Sequence, residues 1–162
     1  MDHRINPSFS QLLKNPVHLL AFGFGSGLAR KGPGTAGTVV ALLLWPLLAW
    51  LPLYAYIAMV IAASLVGFYL CGKTARDMGV HDHQGIVWDE MAGYWLTMTA
   101  LPTSWPWALA GFALFRLFDI WKPWPIRWVD RHVHGGVGIM VDDLLAGLLA
   151  WAILFLTWRF LV

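Results

Sequence analysis

The stretch Thr35–Gly72, TAGTVVALLLWPLLAWLPLYAYIAMVIAASLVGFYLCG, contains no Asp, Glu, Lys or Arg. A membrane crossing takes about 20 apolar residues to cover roughly 30 Å of hydrocarbon, so this stretch has room for two. Leu51-Pro52-Leu53 falls near its middle, where proline removes a backbone donor and favours a break. The pattern predicts helices over 36–50 and 54–72. Charge is also absent between Glu90 and Arg116 and between Asp143 and Arg159. Those gaps predict further helices over 88–101, 105–121 and 139–161, with Pro102, Pro106, Pro123 and Pro125 in or beside the turns between them.

Composition supports the same class. Hydrophobic residues make up 59% of the chain and charged ones 12%, and the mean hydropathy is +0.62. A soluble domain carries about a quarter charged residues. The expected fold is therefore all-α, a polytopic membrane bundle of four or five apolar helices joined by short charged loops. It forms one domain over 1–162, beginning with a variable polar tail over 1–16. Val17–Ala29 is apolar but short and interrupted by glycine, which suits an interfacial or re-entrant segment better than a cleaved leader. Many of the eleven tryptophans sit near the ends of apolar runs, as in an interfacial aromatic belt. Cys71 is the single cysteine, so no internal disulfide can form.

Lys and Arg are absent from the connections around 51–53 and 101–106. Arg4, Lys14, Arg30, Lys31, Lys73, Arg76, Lys122, Arg127 and Arg131 fall on the other side. The inside-positive rule makes that side cytoplasmic. Eight of nine acids lie there too, among them Asp77, Asp82 and Asp130, and three constellations on this side could carry chemistry.

The first is Arg30-Lys31-Gly32-Pro33-Gly34-Thr35-Ala36-Gly37-Thr38. Its glycines let amides approach an anion at a helix N-terminus, beside two full positive charges. A capped helix with basic anchors explains it equally well. The string fits G-x-G-x-x-G, but no strand or βαβ unit surrounds it, and no Lys precedes Thr38 as a Walker loop requires. The second is His81-Asp82-His83-Gln84-Gly85-Ile86-Val87-Trp88-Asp89-Glu90. Acids in a first helical turn complement the macrodipole, yet a carboxylate heading an apolar membrane helix usually faces protein or water for a functional reason. His81 and His83 form only an isolated H-x-H and stay outside the expected site. The third joins Arg116-x-x-Asp119-x-x-Lys122 to Asp142-Asp143, where helical ion pairing and dipole complementarity are the ordinary explanations.

Together, Asp89, Glu90, Asp119, Asp142 and Asp143 converge from three helix ends, and unneutralised carboxylates so close would repel. A divalent cation resolves that conflict, and oxygen-only ligands favour Mg2+. Gly93, Ala146, Gly147 and Ala150 would let the acid-bearing helices approach closely. A hard cation beside a basic, glycine-rich anion cradle suits a phosphorylated lipid head group. The metal would polarise a phosphoryl oxygen or orient water, while Lys31, Arg116 and Lys122 neutralise the non-reacting oxygens.

Four strings, Arg30–Thr38, Val87–Gly93, Phe115–Pro125 and Gly138–Asp143, resemble the phosphatidylglycerophosphatase A family, in order, across most of Phe22 to Trp158. The resemblance implies a bacterial inner-membrane, multi-pass, Mg2+-dependent lipid phosphatase with its site facing the cytoplasm. It would convert phosphatidylglycerophosphate to phosphatidylglycerol, with membrane lipids and no nucleic acid as partners. Carried over, Asp89, Glu90 and Asp143 are the catalytic acids, and with Asp119 and Asp142 they hold the metal. Arg30, Lys31, Gly34, Thr35, Arg116 and Lys122 lie near the phosphate. Glu90 is the preferred base or metal bridge, with Asp119, Asp142 and Asp143 as main ligands; an aspartyl-phosphate intermediate is the competing route.

A small transporter or cation channel is the alternative, but it predicts acids at mid-span, where this chain has none. A CDP-alcohol phosphotransferase would carry D-G-x-x-A-R, which does not occur.

Overall fold

Apolar side chains on every face of a segment require neighbours on every side, and Trp88–Thr97 meets that demand at the centre of the molecule. A computed structural model describes residues 6–162, so Arg4 lies outside the described residues. In chain order the helices are α1 (Phe9–Leu13), α2 (Pro16–Ala21), a 3-10 segment (Gly23–Leu28), α3 (Pro33–Leu48), α4 (Leu53–Asp77), α5 (Trp88–Thr97), α6 (Trp105–Trp121), α7 (Ile126–His132) and α8 (Gly135–Leu161). Among the described residues there is no strand. α5 packs against α3, α4, α6 and α8, and Met91, Ala92, Gly93, Tyr94 and Trp95 are all buried there.

The break between α3 and α4 falls where Pro52 predicts it, and Pro52 is the N-cap of α4. α3 begins earlier than expected because Pro33 occupies its first turn, where the missing N–H costs nothing. α4 runs on to Asp77, with Lys73 and Asp77 paired one turn apart at 2.6 Å and His18 Nε2 2.9 Å from the same carboxylate. α5 stops short of 101: the chain unwinds at Met98, and Ala100 takes a positive φ of 59°.

Among the described residues two helices, α4 and α8, are long and apolar enough to cross a membrane. At 1.5 Å per residue the 16 residues of α3 and the 17 of α6 span about 24 and 26 Å, and the ten of α5 about 15 Å. α5 is thus too short to cross alone and is enclosed by its neighbours. An uncharged run measures composition, not helix length, which is why the expected third span shrinks to a central half-helix.

The polar start also folds more than its composition suggests. Ser8 and Gln11 form a reciprocal capping box on α1, and Leu12 is fully buried. Phe22 is likewise fully buried, the Val87 amide donates to the Ala21 carbonyl at 2.8 Å, and Gly27 lies against the Gly85 carbonyl. Val17–Ala29 therefore braces the loop leading into α5. Two short helices with one or two inward residues each leave little periodicity to read.

Alternation of direction places the starts of α3, α5 and α8 and the ends of α4 and α6 at one end of the bundle. α5 crosses α8 with backbones nearly touching: a Cβ on Gly147 would stand 2.4 Å from the Gly93 carbonyl, and one on Gly93 2.8 Å from the Asp143 carbonyl. Thr97 Oγ1 donates to the carbonyls of Gly93 and Gly147 at 3.0 and 3.2 Å. Because the Gly147 neighbour is backbone, Gly147→Leu should lower unfolding stability by about 3 kcal/mol. Leu148→Ala, on the exposed side of the same helix, should change it by about 0.5 kcal/mol or less. Denaturation of the micelle-solubilised protein followed by far-UV circular dichroism measures both.

Candidate metal and phosphate site

Directly above the α5–α8 crossing, the first turn of α5 and the third of α8 bring three acids together. One carboxylate oxygen from each of Asp89, Glu90 and Asp143 lies within 4.8 Å of the others. Asp89 and Asp143 are 7% and 2% exposed. Asp89 Oδ1, Glu90 Oε2 and Asp143 Oδ2 are buried without a hydrogen-bond partner. Three buried, unsatisfied carboxylate oxygens are a costly arrangement as anions unless a cation joins them or a proton neutralises them. With metal–oxygen bonds of 2.0–2.6 Å, ligands opposite each other across one hard ion stand about 4–5 Å apart, so the cluster matches such an ion in donor type and span.

A cleft of about 430 Å³ opens beside this cluster. Its walls are Gly32–Gly34 at the start of α3, Asp82–Gln84 in the loop before α5, Asp89 and Glu90, and Arg116, Asp119 and Ile120 on α6. Gly32 is the N-cap of α3, in a left-handed conformation with no side-chain cap. The first intrahelical bond runs from the Ala36 amide to the Gly32 carbonyl, so the amides of Gly34 and Thr35 precede it and add partial positive charge. Gly34 gives the acid and the guanidinium their room: a Cβ there would meet Glu90 Oε1 at 2.7 Å and Arg116 Nη1 at 3.1 Å, so a larger residue would displace those side-chain ends.

Arg116 sits between two acids. Its Nη1 pairs with Asp119 and lies 4.0 Å from Glu90 Oε1, while its buried Nε has no partner. The cleft thus holds guanidinium and helix-terminal amides on one side and carboxylates on the other, a polarity suited to a phosphate bridging to a cation.

The other expected residues separate. Asp119 lines the cleft but is engaged with Arg116. Asp142 Oδ2 takes Lys122 Nζ at 2.6 Å, and its Oδ1 accepts the Asp143 amide at 3.0 Å. Lys122 ends α6 in a left-handed conformation and also reaches Asp130 at 3.5 Å. Burial alone would lower the Lys122 ammonium pKa, but the Asp142 hydrogen bond and the charges of Asp142, Asp143 and Asp130 hold it above the ordinary lysine value. Lys122 therefore braces the backbone turn bearing Asp143. Lys31 and Thr35 are exposed near the rim, and Arg30 borders a smaller neighbouring cavity of about 180 Å³.

Gln84, Asp82 and the buried His83 line the cleft without having been assigned to it from sequence. His83 Nδ1 accepts the Gly85 amide at 2.9 Å and shapes the turn. His81 turns away to meet His134 edge-on at 5.0 Å. The signal for these residues was their position: four polar side chains immediately before an apolar half-helix that starts with two acids.

A family model described as Phosphatidylglycerophosphatase A matches residues 19–158. A protein of that name from Escherichia coli strain K12 is 55% identical over 144 residues, covering 88% of this chain and 84% of that protein. Another of the same name from Haemophilus influenzae is 49% identical over 155 residues, 93% of each chain. A putative phosphatidylinositol-3-phosphatase from Bacteroides thetaiotaomicron is 38% identical over 144 residues, 84% of this chain and 89% of that one. No solved structure matches the chain.

Two outcomes follow from this geometry. Removing only Lys122 leaves Asp142 uncompensated, so Lys122→Met should cost about 2 kcal/mol, and the double variant Lys122→Met with Asp142→Leu should recover most of it. Chemical denaturation of the four proteins in the cycle measures this. Asp143→Asn should weaken Mn2+ binding at least tenfold in an electron paramagnetic resonance titration, where Asp77→Asn, outside the cluster, leaves it unchanged.

Proposed function

This chain belongs to the phosphatidylglycerophosphatase A family, and on that premise we propose that it hydrolyses the terminal phosphate monoester of phosphatidylglycerophosphate to phosphatidylglycerol and phosphate. The reaction is Mg2+-dependent and takes place at the cytoplasmic face of the bacterial inner membrane. The observation that supports this most directly is the convergence of three unsatisfied carboxylate oxygens beside the amides of α3 and the guanidinium of Arg116.

Asp89, Glu90 and Asp143 would hold the metal. When bound, Mg2+ supplies Lewis-acid polarisation of a phosphoryl oxygen and screens the charge that develops in transfer. The amides of Gly34 and Thr35 and the Arg116 Nε and Nη groups receive the non-reacting phosphate oxygens. Lys31 and Arg30, at the rim, raise the local concentration of the anionic head group. A free oxygen of Glu90 accepts the proton of the attacking water, 4.0 Å from the Arg116 guanidinium that orients its carboxylate. Asp119 fixes Arg116, and Asp142 with Lys122 fixes Asp143. The buried walls of α5 exclude bulk water from one side of the reacting centre.

The end of the bundle that carries the site also carries Lys73, Lys122, Arg127 and Arg131, and this supports a cytoplasmic orientation. The two apolar helices α4 and α8 would anchor it, with α3 and α6 completing a multi-pass bundle.

Purified protein in detergent should release phosphate from phosphatidylglycerophosphate with Mg2+ and lose this activity with EDTA. Glu90→Gln and Asp143→Asn should each reduce the rate at least a hundredfold, and Gly34→Val at least tenfold, in folded protein. Release that continues unchanged in EDTA would remove the metal from the mechanism. Preference for phosphatidylinositol 3-phosphate would move the substrate assignment to the head group named for the Bacteroides relative.

A further inference from the structure

Beyond the acid cleft, the connection from α6 to α8 carries a second cavity, mostly apolar in its lining but edged by two arginines, that the chemistry above does not use. It encloses about 410 Å³ between Trp121, Trp124, Trp128, Arg127, Arg131 and His132. The indoles are exposed to an extent unusual for tryptophan: 58% at Trp121, 81% at Trp124 and 53% at Trp128. Two of them are nevertheless held by their surroundings. Trp128 stacks on His132 at 4.5 Å, Trp121 stacks on Phe118 at 6.4 Å, and Arg127 Nη2 donates to the Trp121 carbonyl at 3.3 Å. Ile126, fully buried, fixes α7 to the bundle.

The charge of this cavity is not cancelled. Asp130, the acid on α7, turns to Lys122 instead, and among the described residues neither Arg127 nor Arg131 enters an ion pair. Two guanidiniums one helical turn apart therefore face a cavity walled by three indoles.

We propose that this cavity binds the head group of an anionic phospholipid of the surrounding bilayer, its phosphate between Arg127 and Arg131 and its glycerol end against the indoles. The level in the bilayer favours a lipid over a soluble partner. α7 connects the last turn of apolar α6 to the first turn of α8, at the end of the bundle that the proposed topology sets at the membrane surface. Indoles concentrate at that boundary because a ring with an apolar body and one N–H is satisfied by both sides. Basic residues just outside the hydrocarbon complement anionic lipid at about 1 kcal/mol each, or about fivefold in affinity per charge. The cavity shares no lining residue with the acid cleft, so it is a separate cavity from the one proposed for the reacting phosphate.

The test is native mass spectrometry of the full chain released from nanodiscs of mixed phosphatidylglycerol and phosphatidylcholine. The wild type should retain phosphatidylglycerol in preference to phosphatidylcholine. Arg127→Gln with Arg131→Gln should weaken that retention about 25-fold, and Trp124→Ala should weaken it for both lipids, while Gly34→Val should leave it intact. Circular dichroism confirms the fold; if the double variant unfolds, Arg131→Gln alone should still give about a fivefold loss. Equal retention of the two lipids, or undiminished preference in the arginine variants, overturns the proposal. Displacement of the lipid by inorganic phosphate or by a soluble polyglutamate peptide at physiological ionic strength also overturns it, in favour of a simple anion site or an acidic protein partner.

Discussion

The close backbone crossing of α5 and α8 at Gly93 and Gly147 is the constraint from which the rest of the site follows. A side chain at either glycine would push the helices apart, and the carboxylates of Asp89, Glu90 and Asp143 sit one turn from that contact. Their separation is set by helix packing, not by attraction between them. Like charges would spread if their supports were flexible. Thr97, donating to both glycine carbonyls, and Phe115, against Gly93, close the crossing from either side. Small residues thus convert dispersion and hydrogen bonding in the core into a fixed concentration of negative charge.

The remaining charges are distributed so that this concentration persists. Asp119 has Arg116, Asp142 has Lys122, and Asp77 has Lys73 and His18. Each of those acids is neutralised within its own neighbourhood, whereas the cluster of three keeps buried oxygens unsatisfied. A fold selected for stability alone would pair or replace them. Lys122 also holds a left-handed backbone that a non-glycine residue adopts at a cost of about 1 kcal/mol. Its bond to Asp142 offsets that cost and ties the end of α6 to the turn presenting Asp143.

Much of this was legible in the sequence because membranes impose simple rules. Uncharged runs marked α3, α4, α6 and α8, Pro52 marked the break between α3 and α4, and the glycines of α5 and α8 pointed to close packing. The acids at the starts of apolar runs identified the end of the bundle where Asp89, Glu90 and Asp143 come together. Partner choice was not legible. Whether Lys122 reaches a ligand or Asp142 depends on the left-handed turn at its own Cα, and nothing in Trp121-Lys122-Pro123 encodes which carboxylate it will meet. The length of α5 was hidden too, since Met98–Leu101 continues the uncharged run although the helix has ended and Ala100 takes a positive φ. The cleft wall of Asp82, His83 and Gln84 depends on Phe22 and Gly85 packing face to face, a long-range contact with no local pattern.

Helix direction adds the last element of the electrostatics. α3, α5 and α8 all begin at the charged end, so three positive helix ends point toward one region. Their effect fades within a turn, which divides the acids into two kinds. Asp89 and Glu90 lie in the first turn of α5 and gain from its unpaired amides. Asp142 and Asp143 lie beyond the first turn of α8 and gain little from its start. Asp142 is compensated by Lys122, but Asp143, almost fully buried and with an oxygen lacking a partner, has neither helix dipole nor lysine within bonding distance. Asp143 is therefore the member of the cluster with the least compensation from its own surroundings. Its backbone carbonyl also abuts Gly93, so it is the residue through which the charge of the cluster and the helix packing are coupled.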